Sequence, residues 1–510
     1  MERSLTNEEI EDLLQASDSE YYGSSSDEED SPMPLSTLIE NTATPFAAAS
    51  SSTTAVSENR AGSAATRSYP KKIVTDADYN QSSDDEYSSD EENSTATPAA
   101  MSTTRSTSNA TKRSCPQPSN QDIYFQSWTK ISNDQVKKVK GVKQWTTEPK
   151  VFGIEDLSPY EVFLTQFPRE IFDHVADETN RYFHQMLPKK MPLRPRSRLH
   201  NWKNVTAQQI KAFVAVEICM GLIKKPTLAS YFKDPHFMTK TPGFRRVFTE
   251  EKYSLIRSAI HFCNNEASNE NDDRLFKIRP IIDILKGRPS TIFKPGRNLS
   301  VDEIMRKFKG RLFWKQYMPK KPNKWGIKLF GLADPDVGFL LDSDVYTGKD
   351  TLPDVAGGLS SKVVQKLLGP YENKGHHVFM DNWFSGIPLF QDLIEKEIGA
   401  CGTVRQNRKY LPNDLGASKA RKGDHPQFWI NQNQTFISCS WKDTGFVYMI
   451  STIEDTSVKH MVVNDKSSPT GTRTQIKPNI NVEYIKNMNG VDVFDHLCST
   501  YPFDCKNMKW

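Results

Sequence analysis

From Asn298 onward the chain breaks into apolar segments too short to be helices. NLSVDE, RLFWKQYMP, KWGIKLFGLAD and GFLLDSDVYTG follow one another, each bounded by turn residues, and read as strands. A helical stretch (SSKVVQKLLGPY), a strand (HHVFMDNWF), a second helix (IPLFQDLIEKE) and a further strand (GACGTVR) come next. Several strands in succession followed by helix–strand alternation predict an α/β domain with a mixed sheet. It is assigned residues 293–418. Residues 419–478 hold more strand-like pieces (QFWI, TFISCSW, FVYMISTI) between polar turns and read as a β-rich insertion. Residues 479–510 return to a helical pattern in VEYIKNMNGVDVFDHLCSTY, with Asp302 expected to close the first strand and Asp381 the VFMDNWF strand.

Upstream the periodicity is helical. SPYEVFLTQFPREIFDHVADETNRYFHQML opens on a Ser–Pro–x–Glu start signal, and TAQQIKAFVAVEICMGLI and TEEKYSLIRSAIHFC each open on a Thr that can cap a helix. Residues 123–292 are therefore read as a mainly helical domain. Its loop PKKMPLRPRSRLHNWK suits phosphate binding or nuclear import, and equally a solvated surface. Residues 1–122 are rich in Ser, Thr, Ala and acid, too poor in apolar surface to offset chain entropy, and are expected to be disordered.

Charge divides along the same line. Residues 1–120 carry 21 Asp/Glu and 8 Lys/Arg, a net of −13, whereas the whole chain is +3, leaving +16 on the remainder. An acidic tail on a basic body is an asymmetry found in proteins that handle nucleic acid. The Met1 end lacks a basic-then-apolar secretory pattern, and no run is long and apolar enough to span a bilayer, so no membrane partner is expected. Seven scattered cysteines form no C-x-x-C pair, so neither a disulfide framework nor a structural zinc site is expected.

Carboxylates carry the functional reading. At strand ends of an α/β sheet, Asp302 and Asp381 point toward the usual crevice, while Asp492 and Asp495 share a face of the last helix at i, i+3 spacing. Three such carboxylates suit a site holding two Mg²⁺ ions for phosphoryl transfer. Each has a plainer reading as a turn, cap or solvated acid. Asp334, Asp336, Asp342 and Asp344 read as ordinary turn residues, and His376 and His377 as surface residues.

The order of the segments decides between these readings. NLSVDEIMRKFKGR, QYMPKKPNKWGIKLFGLAD, DVYTGKD, VFMDNWFSGIPLF, GTVRQNRKYLPND and MNGVDVFDHLCSTYP resemble, in order, the signature segments of the piggyBac transposases and their domesticated derivatives. The likeness runs from about residue 155 to 510. It implies a ribonuclease-H-like catalytic domain, with Asp302, Asp381 and Asp492 as catalytic, metal-holding aspartates and Asp495 as a supporting acid. It also implies Mg²⁺-dependent cut-and-paste transposition into TTAA sites, DNA as partner, and a nuclear location. Beside these acids, Arg306, Lys307, Lys309 and Arg311, with Lys320, Lys321 and Lys324 and with Arg405, Arg408 and Lys409, would hold phosphate backbone. Here the chain ends at Trp510, where family members continue through helices that complete a dimerisation domain and through a cysteine-rich zinc module. A homodimer, weakened by that shorter end, is the expected assembly. The alternatives are a domesticated derivative that binds DNA or partners without catalysis, and a structure-specific nuclease of the same fold.

Overall fold

The computed structural model describes residues 123–145, 148–266, 273–319, 321, 323–348, 358–417, 419–464 and 471–500. The acidic tail expected to be disordered therefore lies outside the described residues, as does Lys320.

The strands are β1 (Trp128–Ile131), β2 (Lys150–Val151), β3 (Phe293–Lys294), β4 (Asn298–Lys307), β5 (Gln316–Tyr317), β6 (Trp325–Asp334), β7 (Phe339–Val345), β8 (His377–Met380), β9 (Gly399–Thr403), β10 (Gln427–Asn431), β11 (Ile437–Lys442), β12 (Phe446–Ser451), β13 (Val458–Asn464) and β14 (Thr472–Pro478). Ten of them make one mixed sheet in the order β1-β10-β11-β12-β9-β8-β4-β6-β5, with β7 on β6. Only β4–β8 and β8–β9 pair in parallel. The expected mixed sheet is thus present, and it is wider than local patterns implied. Three strands from residues 419–478 extend it beside β9, and β1, from residues expected to be helical, pairs with β10 at its edge. β13 and β14 stand apart as a two-stranded ribbon, and β2 and β3 pair with each other as another.

Helices cover both faces of the sheet. On one side, α9 (Gly358–Leu368) and α10 (Ile387–Glu395) bury Val363, Val364, Leu367, Phe390 and Leu393 against Leu299, Val301, Val378, Met380 and Ala400. On the other, α11 (Asn479–Asn487) packs Ile480 and Tyr484 on Phe379 and Cys401. Also on that side, α12 (Gly490–Thr500) sets Val491 against Ile304 and Ala333. The pattern expected as one C-terminal helix is therefore two, divided where Gly490 meets the sheet. A Cβ at Gly490 would lie 2.5 Å from Ser300 Oγ and 2.9 Å from Pro335 Cα, so only glycine lets the helix start this close to β4. Gly338, in the β6–β7 turn at φ +67°, yields to Val493 in the same way.

Upstream, α1 (Pro159–Gln166), α2 (Arg169–Met186), α3 (Ala207–Leu222) and α6 (Glu250–Ala259) bear out the capping signals in part. Ser158 and Glu161 form a reciprocal capping box, as do Thr206 and Gln209. The single helix expected from Ser158 is two, because Pro168 lacks the N–H needed to continue it. Ile171, Phe172, Val175, Ile210, Phe213, Tyr253 and Ile256 are buried in this helical part. Short helices α7 (Arg279–Leu285) and α8 (Pro289–Ile292) lead into β3. Residues 229–250 form a separate compact unit, in which α4 (Ala229–Lys233) and α5 (Pro242–Val247) bring Tyr231 and Phe244 to 5.0 Å between ring centroids.

Candidate active site

Sheet register brings the first two acids together. In the parallel β4–β8 pair the last partners are Val301 and Met380, so Asp302 and Asp381 follow one residue later on adjacent strands. Neighbouring strands lie about 4.8 Å apart. Alternation along β4 puts Asp302 on the face of Ser300 and Ile304, where α12 packs. Asp302 does not close its strand, as the sequence reading expected. β4 continues antiparallel to β6 as far as Lys307, and only its pairing with β8 stops at Val301. The acid therefore stands where the sheet opens on one side.

The third acid arrives with α12. Asp492 lies in its first turn and Asp495 one turn on. Lys321 Nζ is 3.9 Å from Asp492 Oδ1 and donates to the Glu303 carbonyl at 3.0 Å. Against the lowering effect of burial, Asp302, Asp492, Glu303 and Asp495 together raise this ammonium's pKa. One cation thus collects the field of four carboxylates.

The acids answer in kind. Burial pushes the Asp302 carboxyl well above the usual range; Lys321 opposes this, and the negative charges of Asp492 and Asp381 add to it. Asp381 is raised to about 6, by burial first and by Glu303 second, against the N–H groups of Trp383 and Phe384. Its Oδ1 accepts from Trp383 N–H at 2.9 Å, and Asp302 Oδ1 accepts from Glu303 N–H at 2.7 Å. Desolvated, mutually repelling carboxylates of this kind suit a hard divalent cation by donor chemistry. Among the described residues, however, no three His, Cys, Asp or Glu side chains stand close enough together to grip a metal ion.

A family model described as Transposase IS4 matches residues 158–510. The chain belongs to that transposase family. Two human relatives, PiggyBac transposable element-derived proteins 2 and 3, are each 26% identical, over 404 and 319 residues. Those alignments take in 76% and 60% of this chain, which spans only 61% and 52% of the relatives' own lengths. A cryo-EM structure of the piggyBac transposase synaptic complex with hairpin DNA matches with a TM-score of 0.61 at 22% identity, over 72% of this chain and 73% of that one. That likeness concerns the fold.

In this transposase-family chain the expected basic residues divide into two groups. Lys307, Lys309, Arg311, Lys324, Arg405 and Lys409 are exposed. Arg306 instead turns inward, 3.2 Å from Asp495 and with its guanidinium 5.2 Å from the Phe494 ring. Arg408 is committed to the backbone: one nitrogen donates to the carbonyls of Asn382 at 2.7 Å and Trp383 at 2.9 Å, tying down the turn that carries Asp381. His376, expected at the surface, is buried against Trp145 and Tyr371, and burial lowers it to about 4 and the neighbouring His377 to about 3. Asp334 is the turn residue expected, accepting from Asp336 N–H and Gly296 N–H, both at 2.9 Å.

Sequence reasoning missed the other face. Glu303 forms an ion pair with Lys328, whose ammonium lies 4.7 Å from the Trp383 ring and 4.8 Å from that of Phe330. Trp383 stacks on Phe330 at 5.1 Å. The signal was available: strand alternation puts the Glu303 side chain on the face opposite Asp302, although its charge still reaches Asp381 and Lys321.

Proposed function

We infer that this chain is a piggyBac-like DNA transposase, with a ribonuclease-H-like catalytic domain that cleaves and joins DNA strands at TTAA sites. Asp302, Asp381 and Asp492 are its catalytic acids, and Asp495 supports them. The observation that carries this reading is that Asp302, Asp492 and Asp495 act on the one ammonium of Lys321, while Asp381, one residue past the end of the β4–β8 pairing, adds to the negative charge that raises Asp302. Asp302, Asp381 and Asp492 would hold Mg²⁺ only after drawing closer together than they stand here. When bound, the ion would supply positive charge to the attacking and leaving oxygens of a phosphodiester.

The remaining work falls to the chain's own groups. To hold the ion Asp302 and Asp381 would have to be deprotonated, and Trp383 N–H fixes the Asp381 oxygen that it touches. Lys321 neutralises the acids until the substrate's phosphate takes it as a partner. The exposed Lys307, Lys309, Arg311, Lys324, Arg405 and Lys409 hold backbone phosphates through sequence-independent, salt-sensitive contacts. The solved relative in complex with hairpin DNA supports DNA as the partner, and the substrate in turn supports a nuclear location. A homodimer is the assembly proposed.

One experiment tests this. The full chain is incubated with Mg²⁺ and a duplex carrying its genomic flank beside TTAA, with Asp302→Ala as control. Cleavage at the TTAA junction that vanishes in the variant is expected. Equal DNA binding with no cleavage in either protein would sink the catalytic reading. That result would favour a transposase-derived DNA binder without catalysis; the human relatives are themselves named transposable element-derived proteins.

A further inference from the structure

The connection between β4 and β6 combines two properties that rarely meet on a soluble surface. From Ile304 to Ala333 the chain has no Asp or Glu and nine Lys or Arg. Within that acid-free stretch three aromatic rings are left in solvent: Phe313 is 80% exposed, Trp325 52% and Tyr317 43%. They are not loose ends. Trp314, next to Phe313, is buried and anchors the segment, and the β5–β6 pairing places Tyr317 opposite Trp325 with ring centroids 4.7 Å apart. The Arg274 guanidinium lies 5.0 Å from the Phe313 ring and is held by a 2.6 Å hydrogen bond to the Thr347 carbonyl. Lys321, in the same connection, is bound to the Glu303 carbonyl beside Asp302. The rings thus stand on a held, cationic platform that reaches the carboxylates.

Exposed rings set among cations suit a ligand with both a flat π-face and a phosphate. A duplex offers only the second, because its bases are already stacked on one another. Unpaired nucleotides offer both, and stacking on aromatic side chains tolerates any base. We propose that Phe313, Tyr317 and Trp325 form a stacking platform for unpaired nucleotides of the DNA strand that enters the Asp302 site. This rests on the transposase reading above and specifies the form of its substrate: a strand opened or distorted at the point of cleavage.

The test measures binding by the full chain, through fluorescence anisotropy, to labelled oligothymidylate and to a blunt duplex of matching length across one series of salt concentrations. The rings are exposed, so Phe313→Ala with Trp325→Ala should fold normally, and circular dichroism checks this. The double variant should lose about tenfold or more in affinity for oligothymidylate and less than about twofold for duplex, with its salt dependence intact. Phe313→Tyr with Trp325→Phe should restore binding. Arg311→Ala with Lys324→Ala should instead weaken both ligands and flatten both salt slopes. Unchanged oligothymidylate affinity in the aromatic variant, or an equal loss for both ligands, overturns the platform and leaves the DNA reading standing. If the unmodified chain binds neither ligand, both fall.

Discussion

Asp302 and Glu303 are neighbours in sequence and opposites in fate. Glu303 turns to the face where Lys328 meets it as an ion pair under the rings of Trp383 and Phe330; the two side chains are 14% and 13% exposed. Asp302 turns to the face of α12, where its companions are Asp381, Asp492 and a single shared ammonium. One strand thus neutralises its charge internally on one side and leaves an excess on the other. The difference teaches where to look for function. A carboxylate closed off with its own lysine is accounted for by the fold, and one repelled by its neighbours is the better candidate for an outside cation.

The contrast can be broken by mutation. Asp302→Asn should reduce Mg²⁺-dependent strand cleavage by about 10³-fold, roughly 4 kcal/mol of barrier. Its melting temperature should hold or rise, because a repelled charge is gone. A fall in melting temperature comparable to that of a Glu303 variant would erase the distinction between the faces. Glu303→Gln or Lys328→Met should each lower stability by about 3 kcal/mol in urea unfolding, by leaving a largely buried charge unpaired. Replacing both by Met should recover most of that loss; if it does not, the pair is doing more than cancelling itself.

Titration sharpens the comparison. Asp381 is raised from 3.8 to about 6, so its folded form keeps its proton longer than the unfolded chain does. Its contribution to stability is therefore fully present below about pH 4 and is lost as pH rises through about 6. The stability difference between the unmodified chain and Asp381→Asn should fall across that window in the absence of metal. Mg²⁺ should offset the fall increasingly toward its upper end, since a ligand must be deprotonated. A flat difference would show the carboxyl to be solvated. The smallest effect concerns Arg408. Its hydrogen bonds go to backbone carbonyls, so Arg408→Ala should leave the salt slope of DNA binding nearly unchanged, whereas Lys309→Ala should lower it by about one. Equal slopes for the two would return Arg408 to the phosphate-binding set.

Much of the candidate site was legible because its acids stand in local patterns. An acid at the end of an apolar run, or two acids at helical spacing, can be read from a few residues, and so can the Ser158–Glu161 and Thr206–Gln209 caps. The wider sheet could not be read in this way. β1 meets β10 across some 300 residues of chain, and β12 meets β9 through a register that no local alternation specifies. Arg408 misled for a related reason. A basic residue in a basic segment suggests phosphate, while its partners, the carbonyls of Asn382 and Trp383, carry no side-chain signature. Lys328 was overlooked because its cage is assembled from β4, β6 and the turn after β8.

Gly490 carries a consequence for how such a chain tolerates change. Because the first residue of α12 rests directly on Ser300, Asp334 and Pro335, the placement of Asp492 is referenced to the sheet itself. It does not depend on the length of chain travelled since Asp381. Adding a single methyl group at Gly490 would displace the acid, though the chemistry of every carboxylate would be untouched.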